Sequence, residues 1–239
     1  MTKWYFREMQ RAEMSVNPVQ SEFFSTEAIE GLTEGLVRES IQNTLDAAQG
    51  TPVRVRFWLS GSENAIPAQK ANQYFGGLEE HLKAKGSGIQ AIPSLNGGIP
   101  FLLVEDFNTR GLRGNPLQDK DVAGASNDFY YFWRNVGRSG KGEKDRGRWG
   151  IGKTVFPAAS SINTFFGFTV RNEAPQGLLM GQSVLKVHEL NGSRLYPYGY
   201  FGSIEAGDYR PHLRERSRAD DCAKRRPREE RNTIQGGNP

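Results

Sequence analysis

A chain of 239 residues with 36% hydrophobic residues and a mean hydropathy of −0.63 is long enough for one sizeable core, yet too polar to be packed throughout. It holds no apolar run of the ~20 residues that a membrane-spanning helix needs, and its N-terminus, Met1-Thr-Lys-Trp-Tyr-Phe-Arg-Glu, is unlike a signal peptide, so no membrane role is expected. The single cysteine, Cys222, excludes an internal disulfide and fits a reducing cytoplasm. His81, His188 and His212 lie far apart and offer no metal-ligand cluster. The net charge of +4 belongs to one segment: Arg210 to Arg231 holds nine Lys/Arg and five Asp/Glu, which leaves the remainder close to neutral. A mixed-charge stretch of this kind reads as a solvated tail, with DNA contact as a lesser reading.

Residues 1–24 carry Trp4, Tyr5, Phe6, Phe23 and Phe24 and read as an N-terminal strap. Their aromatics pack on their own domain or, less favourably, on a partner subunit. Ser25 or Thr26 can cap a helix that runs to Ala48. Within it, the spacing puts Glu39, Asn43 and Asp46 on one face and Val37, Ile41, Leu45 and Ala48 on the other, the face expected to meet the core. Gln49-Gly-Thr-Pro52 stops the helix. Val53–Ser60 alternates like a strand with one buried face, residues 67–85 read as a polar helix, and residues 86–98 as a Gly-rich loop.

Phe101–Glu105 is apolar on both faces, as a central strand would be. It ends in Asp106, followed by Asn108 and Gly111 in loop-like sequence. Asp128 can cap a short aromatic helix. The glycine-and-charge run from Gly137 to Gly147 has no apolar anchor and reads as a mobile segment. It leads into Gly147-Arg-Trp-Gly150-Ile-Gly152-Lys153 and a helix over 153–161, in which Pro157 is tolerated only in the first turn. Residues 162–170 and 178–187 read as adjacent strands. Apolar periodicity ends at Tyr209, so the domain is assigned to residues 25–209 and residues 210–239 to a basic, disordered tail.

The polar residues in this layout suit nucleotide chemistry. A carboxylate on a rigid helix, Glu39, can act as general base toward a water. An amide one turn on, Asn43, is a neutral oxygen ligand for Mg²⁺, whose remaining ligands would be phosphates and water. Asp46 would reach the nucleotide through water. A carboxylate at a strand end, Asp106, can accept from the exocyclic amine of adenine and would repel a keto group. Gly111 lets the backbone pass close to the base. Gly147, Gly150 and Gly152 would aim backbone N–H groups and a helix N-terminus at phosphate, with Lys153 adding a point charge.

In order and composition these segments resemble the GHKL ATPases: gyrase B subunits, ninety-kilodalton heat-shock chaperones, histidine kinases and MutL, with the MORC proteins close by. Glu39 to Ala47 matches the first motif, Glu-x-x-x-Asn-x-x-Asp-Ala, in full, and the resemblance covers roughly residues 25–190. It implies a two-layer α/β sandwich of Bergerat type with a mixed sheet covered on one face by helices. It also implies slow Mg²⁺-dependent ATP hydrolysis that drives a lid or dimer switch, and an ATP-dependent homodimer. The second motif departs from Asp-x-Gly-x-Gly, reading Asp106-Phe-Asn108-Thr-Arg-Gly111. The later strand bearing a Gly-Thr pair has no counterpart: Gly167-Phe-Thr169 comes too early, and no strand is expected after Tyr209. The fold is therefore expected to be incomplete at its C-terminus.

Two other readings follow from the same residues. One is a nucleotide-binding interaction module without turnover. The other is a P-loop NTPase, since Gly147–Thr154 also fits G-x-x-x-x-G-K-T. Against the latter, Ser139–Arg146 cannot be the buried strand that a P-loop leaves. The tail leaves room for a DNA or protein partner.

Overall fold

The computed structural model describes residues 2–18, 31–122, 127–136, 152–171, 174–205, 208–210 and 212–214. Nine strands and five α-helices are found among them. The main sheet runs β1 (Thr2–Glu8), β7 (Ser193–Glu205), β5 (Ala174–Val184) and β4 (Thr164–Arg171). On its flanks β6 (His188–Leu190) and β8 (Asp208–Arg210) pair with β7, and β9 (His212–Arg214) pairs with β5. A second, two-stranded sheet joins β2 (Arg54–Leu59) to β3 (Leu102–Phe107).

The mixture of helices and sheets matches the α/β expectation, but every pairing among the described residues is antiparallel. The expected mixed sheet is absent from this part for a reason of connectivity. A parallel pair needs a crossover helix, and here the helices separate strands that are not neighbours in the main sheet.

The strands near 162–170 and 178–187 are present as β4 and β5, in register from Thr164↔Ser183 to Thr169↔Leu178. The longest strand, β7, carries Leu195 and Phe201 into the core, and Trp4 of β1 sits opposite Phe201. The expectation that no strand follows Tyr209 is corrected by β9, paired with Gly177–Leu179. Ladder pairing uses backbone N–H and C=O groups, so it does not require the apolar alternation whose loss marked 209 as an end.

Alternation along the strands divides the core into two faces. Phe166, Leu179, Phe201, Trp4 and Phe6 meet α2 (Ala68–Phe75) and α3 (Leu78–Lys83) through Ala71, Phe75, Leu78 and Leu82. Residues 67–85 were expected to form one polar helix. The structure shows two helices broken at Gly76-Gly77, with Gly77 left-handed at φ +82°, and their spaced apolar residues form the centre of the core. On the other face, Phe165, Leu178, Met180 and Tyr200 meet α4 (Asp128–Trp133), with Trp133 stacked on Phe165 at 5.2 Å between ring centroids. Here α5 (Val155–Ala158) also packs, Phe156 lying 5.7 Å from Phe165, and α1 (Leu32–Asp46) rests on α5. Helices thus cover both faces of the sheet, where one covered face was expected.

Two further expectations change. In α1 the buried residues are Gly35, Leu36, Ser40 and Thr44, whereas Val37, Ile41 and Leu45 are 38%, 40% and 61% exposed. The stripe assigned to the core faces outward because the face that meets α5, apart from Leu36, is made of small and polar residues, which periodicity overlooks. And β3 is not a central strand: it pairs with β2 alone among the described residues, leaving Leu59 75% and Leu102 41% exposed. The Ser25 or Thr26 cap lies outside the described residues; the described helix starts at Leu32, with Gly31 at its N-cap and no side-chain cap.

Candidate functional site

The site is built where α1 crosses α5. Buried Leu36 packs on fully buried Val155, with Phe156 and Ala158 around them. Glu39 lies three residues beyond Leu36, nearly one turn, and Gly152 lies three residues before Val155. The apolar contact therefore fixes the register that brings these two together. A Cβ added at Gly152 would collide with a Glu39 carboxylate oxygen and lie 3.2 Å from the carboxyl carbon. Glycine matters here only through this close approach to the Glu39 carboxylate, since its φ is not in the left-handed region. Glu39 is mostly enclosed, with 20% of its side chain exposed, and Arg38 reaches it at 3.6 Å. That pair is half in solvent and adds at most about 1 kcal/mol. Asn43 and Asp46 follow Glu39 along α1, both half-buried.

The C-terminal end of α1 is tied to the turn after β3. Gln49 N–H donates to Asn108 O at 3.0 Å, and Arg110 N–H donates to Ala47 O at 2.9 Å. The Arg110 guanidinium also donates to the Asp46 carbonyl. Asn108 has φ +66°, the conformation anticipated for an asparagine standing at a glycine position, and donates from its side chain to Pro52 O at 3.1 Å. Asp106 is exposed as a residue, but local burial pushes its carboxyl pKa upward, against a hydrogen bond from Thr109 that pulls it down. Gly111 sits at φ +67°, and a Cβ there would lie 2.5 Å from Val170 O and 2.8 Å from Thr169 Oγ1. Glu39 and Gly152 are thus brought together at mid-helix, and Asn108 and Arg110 are tied to the helix end, while Asp106 pairs with Val55 on β2 and Gly111 lies against Val170 and Thr169 of β4. Gly147 and Gly150 lie outside the described residues, as does the run from Gly137.

Lys153 takes a different position from the one expected of a phosphate ligand. Its ammonium donates to the backbone carbonyls of Tyr131 and Asn135, at the C-terminal end of α4. Burial lowers its pKa to about 7, while two carbonyl acceptors favour the charged form. The helix after Gly152 is also shorter than expected: a 3₁₀ turn, Gly152–Thr154, and then four residues of α5, with Pro157 in that single turn. Its dipole is correspondingly small. A cleft lined by Lys153, Thr154, Pro157, Gln182 and Tyr198 opens beside it, and neither Glu39 nor Asp106 lines that cleft.

Several residues that the motifs do not mark complete the arrangement. Thr169, on β4, accepts the Leu112 N–H at 2.9 Å and so anchors the Asp106–Gly111 segment to the main sheet. Its position after Gly167 in the chain made it look too early to belong here; the contact is a tertiary one that spacing does not reveal. Asp128 does not cap α4: Asn127 does, accepting from Tyr130 N–H at 2.8 Å. The Asp128 carboxylate instead receives Arg113 at 3.1 Å and Arg110 at 3.4 Å. Far from this site, two histidines that are 107 residues apart meet, His81 Nδ1 lying 3.0 Å from His188 Nε2. No group of three or more His, Cys, Asp or Glu that could hold a metal forms among the described residues.

No family model, curated protein or solved structure matches the chain significantly.

Proposed function

We propose that this chain binds ATP with Mg²⁺ and hydrolyses it slowly to drive a conformational switch. The observation that carries the reading is the contact between Glu39 and Gly152. The carboxylate of the first motif lies against the glycine that closes the third, although 112 residues separate them in sequence. A second support is the tether between α1 and the turn after Asp106. From Ala47 back to Glu39 is eight residues, about 12 Å along the helix axis, a span comparable to a nucleoside triphosphate laid along α1 with its base toward Asp106.

In this reading Glu39 orients and deprotonates the attacking water, a role worth ~10²–10⁴-fold in rate. Asn43, on the same face one turn later, would hold Mg²⁺, which supplies charge neutralisation at the phosphates when bound. The glycine at 152 lets the Glu39 carboxylate lie directly against the backbone of the proposed phosphate loop, where any side chain would meet it. Asp106 selects adenine through its exocyclic amine, and Asp46 contributes through water. The fold is then a divergent Bergerat-type sandwich, in which the main sheet and α1, α4 and α5 form the two layers. The α2–α3 pair, inserted between β2 and β3, covers the second face.

The P-loop alternative is disfavoured by the same structure. A P-loop domain is built on a parallel sheet, whereas every described pairing is antiparallel. Nucleotide binding without turnover is the second reading, favoured by Lys153 being engaged by carbonyls instead of standing open. An ATP-dependent homodimer, and a DNA or protein partner for residues 210–239, remain proposals of the resemblance and of the tail's charge. A reducing cytoplasmic setting fits the lone Cys222. No helix among the described residues is long and apolar enough to cross a membrane.

Titration of the full chain with a non-hydrolysable ATP analogue and Mg²⁺ tests the proposal. Saturable binding that GTP competes with poorly is expected. Absence of saturation at millimolar analogue overturns it.

A further inference from the structure

We infer that Lys153 is a positioning residue, one that fixes the Gly152 turn against Glu39 by clasping the end of α4, and not a phosphate ligand. The inference deepens the ATPase reading, but its structural half stands without it. The ammonium is satisfied by the carbonyls of Tyr131 and Asn135. Tyr131 O belongs to the last turn of α4, where helix carbonyls lack intrahelical partners, and Asn135 O lies two residues past the helix end. The aromatic side chains of α4 hold that turn rigidly: Phe129 and Trp133 are buried against the sheet, and Trp133 lies over Gly167.

A cation clamped to so fixed a point restrains the backbone on its own residue, and Gly152 is the adjacent one. The chain is held again at Val155, in the contact with Leu36. Gly152 is therefore followed within three residues by two anchored side chains, and Glu39 is the side chain it lies against. Turning this ammonium toward a phosphate would break two charge-assisted hydrogen bonds and leave two half-buried carbonyls without this donor.

Lys153→Met keeps the aliphatic stem and removes the donor. The expected result has three parts. Hydrogen exchange in peptides 35–41 and 152–158 quickens tenfold or more, with the β5–β7 peptides unchanged. Affinity for Mg²⁺ and ATP analogue stays within about threefold. Phosphate release falls tenfold or more. A tenfold loss of affinity with exchange unchanged would identify a phosphate ligand and overturn the inference, as would unchanged exchange in both peptides.

If the methionine variant does not fold, lysine-¹⁵Nζ NMR of the wild-type chain decides. One ammonium with exchange-protected protons, missing in Lys153→Arg, is expected, and its absence from the wild type refutes the clasp. A wild-type chain that binds no ATP would remove the ATPase reading alone, since the exchange and NMR readouts need no nucleotide.

Discussion

Gly152→Ala separates geometry from folding at the proposed site. The added methyl would overlap the Glu39 carboxylate, while the neighbouring atoms of that side chain lie at 3.2 Å and 3.8 Å. The obstruction is the far end of a flexible side chain, so Glu39 can swing aside by rotation about its own bonds. Because φ at 152 is outside the left-handed region, alanine brings no backbone strain and narrows the unfolded ensemble, a gain of roughly 0.4–1 kcal/mol. Net stability should therefore change by less than about 1 kcal/mol, the carboxylate clash and this gain opposing one another. Catalysis should not be spared. A base displaced from its position forfeits most of the ~10²–10⁴-fold that positioning supplies. The paired control is Gly111→Ala, where the methyl meets the Val170 carbonyl at 2.5 Å and the residue is left-handed at φ +67°. Strained placement of this kind costs about 1–3 kcal/mol. Thermal unfolding and phosphate release on both variants give the comparison. Wild-type turnover in Gly152→Ala, or a stability loss equal to that of Gly111→Ala, would refute the placement of Glu39.

Three other outcomes are expected. Asp106→Asn should weaken ATP binding by about 1–3 kcal/mol, measured by calorimetry, because a neutral amide oxygen accepts from the adenine amine more weakly than a carboxylate and the NH₂ half can only oppose it. Burial lowers the pKa of both His81, to about 4, and His188. Above pH 6.5 neither folded nor unfolded chain carries these charges. As pH falls from 6.5 toward 4 the unfolded chain takes up protons that the folded chain refuses, and stability is lost by up to about 3 kcal/mol through His81. Melting temperature against pH should show this drop, and His81→Gln should flatten it. Leu78→Ala, at a side chain with no exposed surface, should cost about 2–5 kcal/mol in urea unfolding and leave the site's residues in place.

Much of the outline was legible in the sequence. The strands over 162–170 and 178–187 announced themselves by apolar runs, and the Glu39–Asn43–Asp46 face by helical spacing. What stayed hidden has physical causes. The buried face of α1 consists of Gly35, Leu36, Ser40 and Thr44, and small or hydroxylated residues pack as well as aliphatic ones when a partner comes close. The weight of Ala71, Phe75, Leu78 and Leu82 was masked by the polar residues among them and by the Gly76-Gly77 break. The role of Lys153 could not be read at all, because its partners are backbone carbonyls, which every sequence possesses. The same holds for Thr169, placed beside Leu112 by the fold at a separation of 57 positions.

The central claim is that the carboxylate at position 39 performs chemistry on a bound nucleotide. Phosphate release from ATP by the wild-type chain and by Glu39→Ala, each with affinity for an ATP analogue measured in parallel, tests it most directly. Turnover should fall by ~10²-fold or more in Glu39→Ala with affinity nearly unchanged. Equal turnover in the two proteins, or nucleotide binding in which neither releases phosphate, would contradict it.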